Sequence, residues 1–258
     1  MSTNSKNSII QILDTYEPIN LDQMDDVRFL KRTDIKYVFH ISRLENLLND
    51  IKNQYRVLFV NNSAIQEYET VYFDTALLDM YQQHHNGLRD RYKIRARQYI
   101  NSNLFFLEVK TKNNKGITSK KRMKLDSLDL QFSEKSDKFI ADKTPFFQAN
   151  LQTTIKNKFS RITLVNEKTP ERITIDWNLS FINSTTGKEL ALPNACIFEI
   201  KRNSLSRNRQ LDQVLKMNKI FPSGFSKYCM GVALLEPSLK MNRFKPNLHK
   251  LRKEEIIH

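Results

Sequence analysis

Residues 89–99 read RDRYKIRARQY, and their alternation decides the class of fold. Successive side chains of a strand point to opposite faces. Arg89, Arg91, Lys93, Arg95 and Arg97 therefore share one side, and Tyr92, Ile94 and Ala96 the other. Five like charges on one strand face repel each other and need an anion, or carboxylates on neighbouring strands, beside them. The segment thus predicts a strand and a binding surface together.

The same period of two extends in both directions from this stretch. In VRFLKRTDIKYVF (27–39), Arg32, Asp34 and Lys36 share one face, and Phe29, Ile35, Tyr37 and Phe39 the other. EYETVYFDT (67–75) is a further strand, and LFFLEVKTK (104–112) sets Glu108, Lys110 and Lys112 on one side. A turn at Asn113–Gly116 leads into ITSKKRMKL (117–125), its hairpin partner. KFSRITLV (158–165), RITIDWNLSFI (172–182) and NACIFEIKR (194–202) follow, the second with Arg172, Thr174 and Asp176 on one face, the third with Glu199 and Lys201. Helices are expected at 8–16, after Ser42 (with Glu45 completing a capping box), at 144–157, at 204–219 and at 227–235. The strands outnumber the helices and are joined mostly by short turns, so the reading is an α+β chain with an antiparallel sheet.

Composition narrows the partner. Lys and Arg number 42 against 28 Asp and Glu, a formal net charge of +14, which calls for a polyanion. Phosphate-binding loops of the Walker or dinucleotide type need closely spaced glycines. The chain has five glycines in all, none so arranged, so side chains must do the phosphate binding. Cys196 and Cys229 show neither metal-ligand spacing nor a disulfide framework and read as buried thiols. His84 and His85 are adjacent on an expected strand, would face opposite ways, and are not read as a metal pair. No secretory leader and no membrane-spanning apolar run is legible, which predicts an aqueous, reducing compartment, the cytoplasm, and leaves any membrane-protein partner open. The expected organisation is a single catalytic domain over 1–258, with its core at about 20–236 and a loosely ordered basic tail at 240–258.

Carboxylates recur on the basic faces: Asp34, Glu108, Asp176 and Glu199. A plain solvated outer face would also be charged. If the sheet instead curls with these faces inward, it makes a polar tunnel whose cations hold phosphates and whose carboxylates hold a divalent metal.

The order Arg32-x-Asp34-x-Lys36-Tyr37, YFDT (72–75), Arg95-x-Arg97, LEVK ending at Lys110, Arg161 after KFS, Arg172 in RITID, FEIK (198–201) and FSKY (225–228) resembles the VTC (vacuolar transporter chaperone) domain. That domain belongs to the triphosphate tunnel metalloenzyme, or CYTH-like, group. The resemblance spans about residues 20–236 and implies an eight-stranded antiparallel β-tunnel with flanking helices. It implies phosphate contacts from Lys36, Arg95, Arg97, Lys110, Arg161 and Arg172, a metal-binding carboxylate at Glu199, and closure of the phosphate path by Ser226 and Lys227. A further phosphate-binding lysine falls at Lys120 or Lys121, with Lys121 preferred by alternation. Of these, Lys36, Arg95, Arg97 and Lys227 are the expected catalytic set. Eukaryotic members usually carry Tyr two residues before the arginine matched by Arg161; here it is Phe159.

The activity so implied is a phosphotransferase that moves the terminal phosphoryl group of ATP onto polyphosphate, with Mn or Mg as cofactor. Its ligands are then ATP and polyphosphate or pyrophosphate. The rival within the same tunnel is an inorganic or nucleoside triphosphatase, with Glu108 or Asp34 positioning water. Triphosphatases typically carry Glu-x-Glu-x-Lys where this chain has Arg32-x-Asp34-x-Lys36, which favours the polymerase. A nucleic-acid-binding β-barrel would use Tyr92 and Tyr99 among the basic residues. Carboxylates on those same faces repel a nucleic-acid backbone, so no nucleic acid is expected.

Overall fold

The computed structural model of the chain describes residues 3–26, 32–128, 132–203 and 207–257; of residues 3–6, 25, 26 and 32 it describes the backbone alone. The expected strand start at 27–31 therefore lies outside the described residues, as does the Arg32 side chain. In chain order the elements are α1 (Thr3–Leu13), β1 (Glu17–Ile19), β2 (Arg32–His40), α2 (Leu44–Ile51), β3 (Arg56–Leu58), β4 (Gln66–Asp74), α3 (Asp79–Asn86), β5 (Arg91–Tyr99) and β6 (Leu104–Lys112). They continue as β7 (Thr118–Leu125), α4 (Glu134–Ala141), β8 (Gln152–Asn166), β9 (Glu171–Asn183), β10 (Glu189–Leu192), β11 (Ala195–Asn203), α5 (Arg209–Met217), α6 (Lys227–Leu235) and α7 (Lys245–Lys253).

Eight strands follow one hydrogen-bonded path in the order β2-β11-β9-β8-β4-β5-β6-β7, antiparallel throughout; β10 pairs with β9, while β3 joins β8 and carries β1 in parallel. The fold is the expected antiparallel α+β sheet with flanking helices. Among the described residues no ladder joins β7 to β2, so the sheet remains open. The segment at 222–226 covers the free edge of β2 instead. Ser223 N donates to Lys36 O at 2.7 Å, and Val38 N donates to Ser223 Oγ at 3.0 Å. Pairing an edge in this way removes a template for aggregation.

One face of β2, β11, β9 and β8 is apolar. Tyr37, Phe39, Phe198, Ile175 and Ile162 form a core there with Leu44 and Leu47 of α2, Leu211 and Leu215 of α5, and Ile9 and Leu13 of α1. The opposite face changes character along its length. Lys36, Glu199 and Asp176 occupy one half, whereas Val38, Ile197, Leu179 and Phe181 occupy the other and pack against α6. On β9 that change requires a bulge. Between Ser160↔Trp177 and Lys158↔Ser180 the strand carries an extra residue, and Asn178 takes φ 53°. A bulge shifts the two-residue parity, so Asp176 and Leu179 face the same way. Asparagine tolerates the left-handed conformation that this needs.

The α6 sequence, KYCMGVALL, is apolar nearly all round, as a helix buried on every side must be. Gly231 permits the close approach: a Cβ there would lie 2.8 Å from Phe181 Cδ1 and 3.1 Å from Ile155 Cγ2. Among the described residues no helix is long and apolar enough to cross a membrane.

Four expectations are corrected. Residues 144–157 are not a helix; α4 lies earlier and β8 begins at Gln152. Phe147, Leu151 and Ile155 recur every four residues and mimic a helix face, but the Thr153–Thr154–Ile155 run is β-branched and favours extended backbone. The capping box does not form. Ser42 lies in a short turn whose amide donates to His40 Nδ1, and α2 begins behind Arg43 without a side-chain cap. His84 and His85 lie on α3, not on a strand. The basic C-terminal segment is ordered as α7: Phe244, Leu248 and Leu251 recur with helical spacing and are buried. The last helix before α6 runs over Arg209–Met217, capped by Asn208, and residues 204–206 of its expected span lie outside the described residues.

Candidate active site

The charged half of that opposite face borders a cavity of about 1340 Å³, lined by Lys36, Lys93, Lys110, Lys120, Glu199 and Ser226 among others. Asp34 lines this cavity, and three further carboxylates on the face each lie between two cations. Glu108, 1% exposed on β6, accepts from Arg95 Nε at 2.7 Å and from Lys120 Nζ at 2.9 Å. Asp176 on β9 accepts from Arg161 Nε at 2.5 Å and Nη2 at 2.7 Å, and from Lys227 Nζ. Glu199 on β11 faces Lys201 at 3.2 Å and Lys36 at 3.7 Å.

Burial disfavours the charge of all three carboxylates. For Glu108 the neighbouring Arg95, Arg97 and Lys120 outweigh it. Arg161 and Lys227 do so for Asp176, and Lys201, Lys36, Arg161 and Lys110 for Glu199. Each is held well below the usual carboxylate range. The lysines move the other way. Burial pulls Lys93, Lys110, Lys201 and Lys227 down to about 8, helped in each case by neighbouring cations. This is the signature of a site with more cations than its own carboxylates can satisfy.

An aromatic floor lies under the deepest cations. Phe159 stacks on Tyr68 at 5.0 Å, and Lys227, Arg161 and Arg97 approach the Phe159 ring at 4.3, 5.2 and 5.6 Å. Ring faces attract cations electrostatically, and more so when water is excluded. Arg97 is 5% exposed and donates from Nε to Thr70 Oγ1 at 3.1 Å. Burial and the adjacent Arg95 pull it below the ordinary arginine value.

The start of α6 is fastened to these cations. Ser226 caps it by accepting from Cys229 N at 3.3 Å and also accepts from Lys93 Nζ at 2.9 Å, while Lys36 Nζ donates to Phe225 O at 3.1 Å. Behind it, Asp74 is fully buried and accepts from the amides of Thr75, Met80 and Tyr81 and from the Tyr228 hydroxyl. Asp74 thereby joins the entrance of α3 to α6 and acts as a positioning residue.

Most of the residues singled out in the sequence are brought together. Lys36, Lys110, Glu199 and Ser226 line the cavity; Arg95, Arg97, Arg161 and Lys227 lie in the charge network beside it. Arg172 lies on β9 opposite Lys201, apart from the cavity lining. Lys121 is corrected. It pairs with Val109 on β6, whose side chain is buried in the core, whereas Lys120 pairs with Lys110 and reaches Glu108. Lys93 and Lys201 received no role in the sequence, although their places in the alternating runs carried the signal. The Phe159–Tyr68 floor carried none, because its stacking joins β4 to β8.

A divalent metal suits these residues in one mode. Among the described residues no three His, Cys, Asp or Glu side chains converge to hold one. Glu199 and Asp34 both line the cavity. One or two carboxylates suit a metal that arrives bridged to phosphate oxygens, as Mg commonly does. The residues fit that mode and not a resident all-protein cage.

A comparison with curated proteins gives no match. Among solved structures, a candidate adenylyl cyclase from Hippeastrum with a dominant triphosphatase activity aligns at 15% identity and a TM-score of 0.51, over 79% of this chain and 96% of its own. A candidate adenylate cyclase from Vibrio parahaemolyticus aligns at 11% identity and a TM-score of 0.46, over 78% and 97%. At such identities the first likeness shows the fold alone. The sequence itself matches the VTC domain over residues 31–236, which holds β2 through α6 and with them the whole charge network, so the chain belongs to the VTC domain family.

Proposed function

We propose that this chain is an ATP:polyphosphate phosphotransferase, a polyphosphate polymerase working in the basic cavity. Family membership and the tunnel-type fold support an enzyme of phosphoryl chemistry. The observation that carries the finer reading is the double clamping of Glu108, Asp176 and Glu199. A hydrolase needs a carboxylate poised to orient water. Here Glu108, one of the two carboxylates that could position water, lies like Asp176 and Glu199 between two cations and is held strongly ionised, which leaves Asp34 as the carboxylate a hydrolase would have to use. A phosphate oxygen, already anionic, needs no such base.

In the proposed reaction a terminal oxygen of polyphosphate attacks the γ-phosphorus of ATP. The bond to the β,γ-bridging oxygen breaks, and ADP leaves with the electron pair. Such transfer depends on alignment and charge neutralisation more than on covalent participation by the protein. Lys36, Lys93 and Lys110 hold the triphosphate from the cavity walls. Arg95, Arg97, Arg161 and Lys227 hold charge further along the path, arginine forks matching phosphate oxygens in pairs. Glu199 and Asp34 would hold Mn or Mg, which would offset negative charge on the transferring group.

The test is incubation of the purified chain with ATP and Mn or Mg, followed by gel analysis and measurement of ADP and free phosphate. A polyphosphate ladder with ADP is expected. Free phosphate equal to ADP, with no ladder, would make the chain a triphosphatase.

A further inference from the structure

The cavity lining includes two kinds of side chain: a cationic set, Lys36, Lys93, Lys110, Lys112 and Lys120, and beside it a neutral set, His84, Phe225, Met230, Phe244 and Asn247. The charge of phosphate groups does not account for the neutral set. Two of its members, Phe244 and Asn247, come from the segment after residue 236, beyond the match to the family.

That segment is firmly docked. Tyr81 OH donates to Lys240 O at 3.0 Å, and Arg243 N donates to His85 Nε2 at 3.3 Å. Phe244 sets its ring against Tyr81, His84 and His85 at 5.6, 5.9 and 5.5 Å. Leu248, Leu251 and Ile256 are buried beneath it, and Arg43 pairs with Glu254. The neutral set is therefore preorganised, the condition under which a few polar groups give specificity.

Its polar groups suit a flat heteroaromatic ring. His84 stands among Lys93, Arg91, Lys36 and Lys112; burial and those cations keep its imidazole neutral, and its Nδ1 is itself buried without a hydrogen-bond partner in the protein. Asn247 lies over Gly224, where a Cβ would sit 3.8 Å from its Nδ2 and 3.9 Å from its Oδ1. A side-chain amide, donor and acceptor side by side, matches the adjacent amino group and ring nitrogen of adenine. Aromatic side chains add sequence-tolerant contact to a base.

We propose that His84, Phe244 and Asn247 form a seat for the purine base of a nucleoside triphosphate whose phosphates lie against the cationic set. The inference rests on the triphosphate reading given above and assigns the C-terminal segment the recognition of the nucleoside. Phe244 supplies the apolar contact, Asn247 the paired hydrogen bonds, and His84 a further neutral partner.

The test compares ATP with inorganic tripolyphosphate, which has the phosphates without the base. Binding of each to the full chain is measured by calorimetry for wild type, Asn247→Ala and His84→Ala. Each variant is expected to weaken ATP about tenfold, the size of a lost hydrogen-bonding group in a partly dry site, and to leave tripolyphosphate within about twofold. Unchanged ATP affinity in both variants, with tripolyphosphate still bound, overturns the base seat and leaves the triphosphate site standing. Equal weakening of both ligands would mark the neutral set as structural and also overturns it. Failure of wild type to bind either ligand would remove the triphosphate reading and this inference together.

Discussion

Arg161 and Asp176 face each other across β8 and β9, joined by two hydrogen bonds of 2.5 and 2.7 Å, and Lys227 reaches the same carboxylate from the start of α6. One buried anion thus holds two cations of the proposed phosphate path and anchors a helix. Breaking a buried pair by removing one partner typically costs about 3–5 kcal/mol. Asp176→Asn should lower stability by that order, since Arg161 and Lys227 are then left facing each other. Added tripolyphosphate should restore more stability to the variant than it adds to wild type. Melting curves with and without tripolyphosphate check this, and an unchanged melting point would show that Asp176 does not hold these cations.

Lys227 sits at the first position of α6, and from sequence alone its truncation would be expected to change stability by no more than about 0.5 kcal/mol, as at a surface. The structure overturns that expectation, because the side chain is 12% exposed and pairs with Asp176. Lys227→Ala should cost about 1.5–3 kcal/mol of stability, the range for a hydrogen bond to a charged group, and should also slow chain elongation. Paired melts and polyphosphate assays test both effects. Wild-type melting with wild-type elongation would remove Lys227 from both roles.

Burial lowers Lys93, Lys110, Lys201 and Lys227 to about 8 from 10.5 in the open chain. The folded protein then binds fewer protons than the unfolded chain between those values, so its stability should rise as pH goes from about 8 towards 10.5. Phosphate binding favours the protonated form, so tripolyphosphate affinity should fall over the same rise, with proton uptake on binding near pH 8. Calorimetry in buffers of different ionisation heat measures that uptake. The carboxylates give a slope of the same sign in a more acid window: the stability that Glu108, Asp176 and Glu199 contribute through their depressed values is present above about pH 4 and is lost as pH falls below it.

Lys120 and Lys121 are neighbours with different surroundings. Lys120→Ala should weaken tripolyphosphate binding several-fold, since it removes a cavity cation and half of the Glu108 clamp. Lys121→Ala should leave binding unchanged and stability within about 0.5 kcal/mol. Equal effects of the two substitutions on tripolyphosphate affinity would contradict the observed hairpin register.

Glu199→Gln removes one charge at nearly constant volume. Metal-dependent turnover should be lost while far-UV circular dichroism stays that of wild type. If the Mn titration of activity is unchanged, the carboxylate that meets the metal lies elsewhere, with Asp34 the next to substitute.

The faces of the strands were legible in the sequence because side-chain direction along a strand is local: alternation by itself set Arg95, Arg97, Lys110 and Glu199 apart from the core. Buried helices with an unmistakable start, such as α6 behind Ser226, were equally legible. Alternation cannot say how one strand meets the next. The choice between Lys120 and Lys121 was made by the pairing of Val109 with Lys121 across the hairpin. The joining of Asp176 to both Arg161 and Lys227 depended on sheet pairing and on where α6 docks, and the bulge at Asn178 shifted the parity of β9 midway. Order in the C-terminal segment was hidden by its charge, which dominates the composition, while three buried side chains dominate the packing. Local sequence determined which groups lie on one side of each strand; long-range packing decided which of them share an anion, a ring face or a cavity wall.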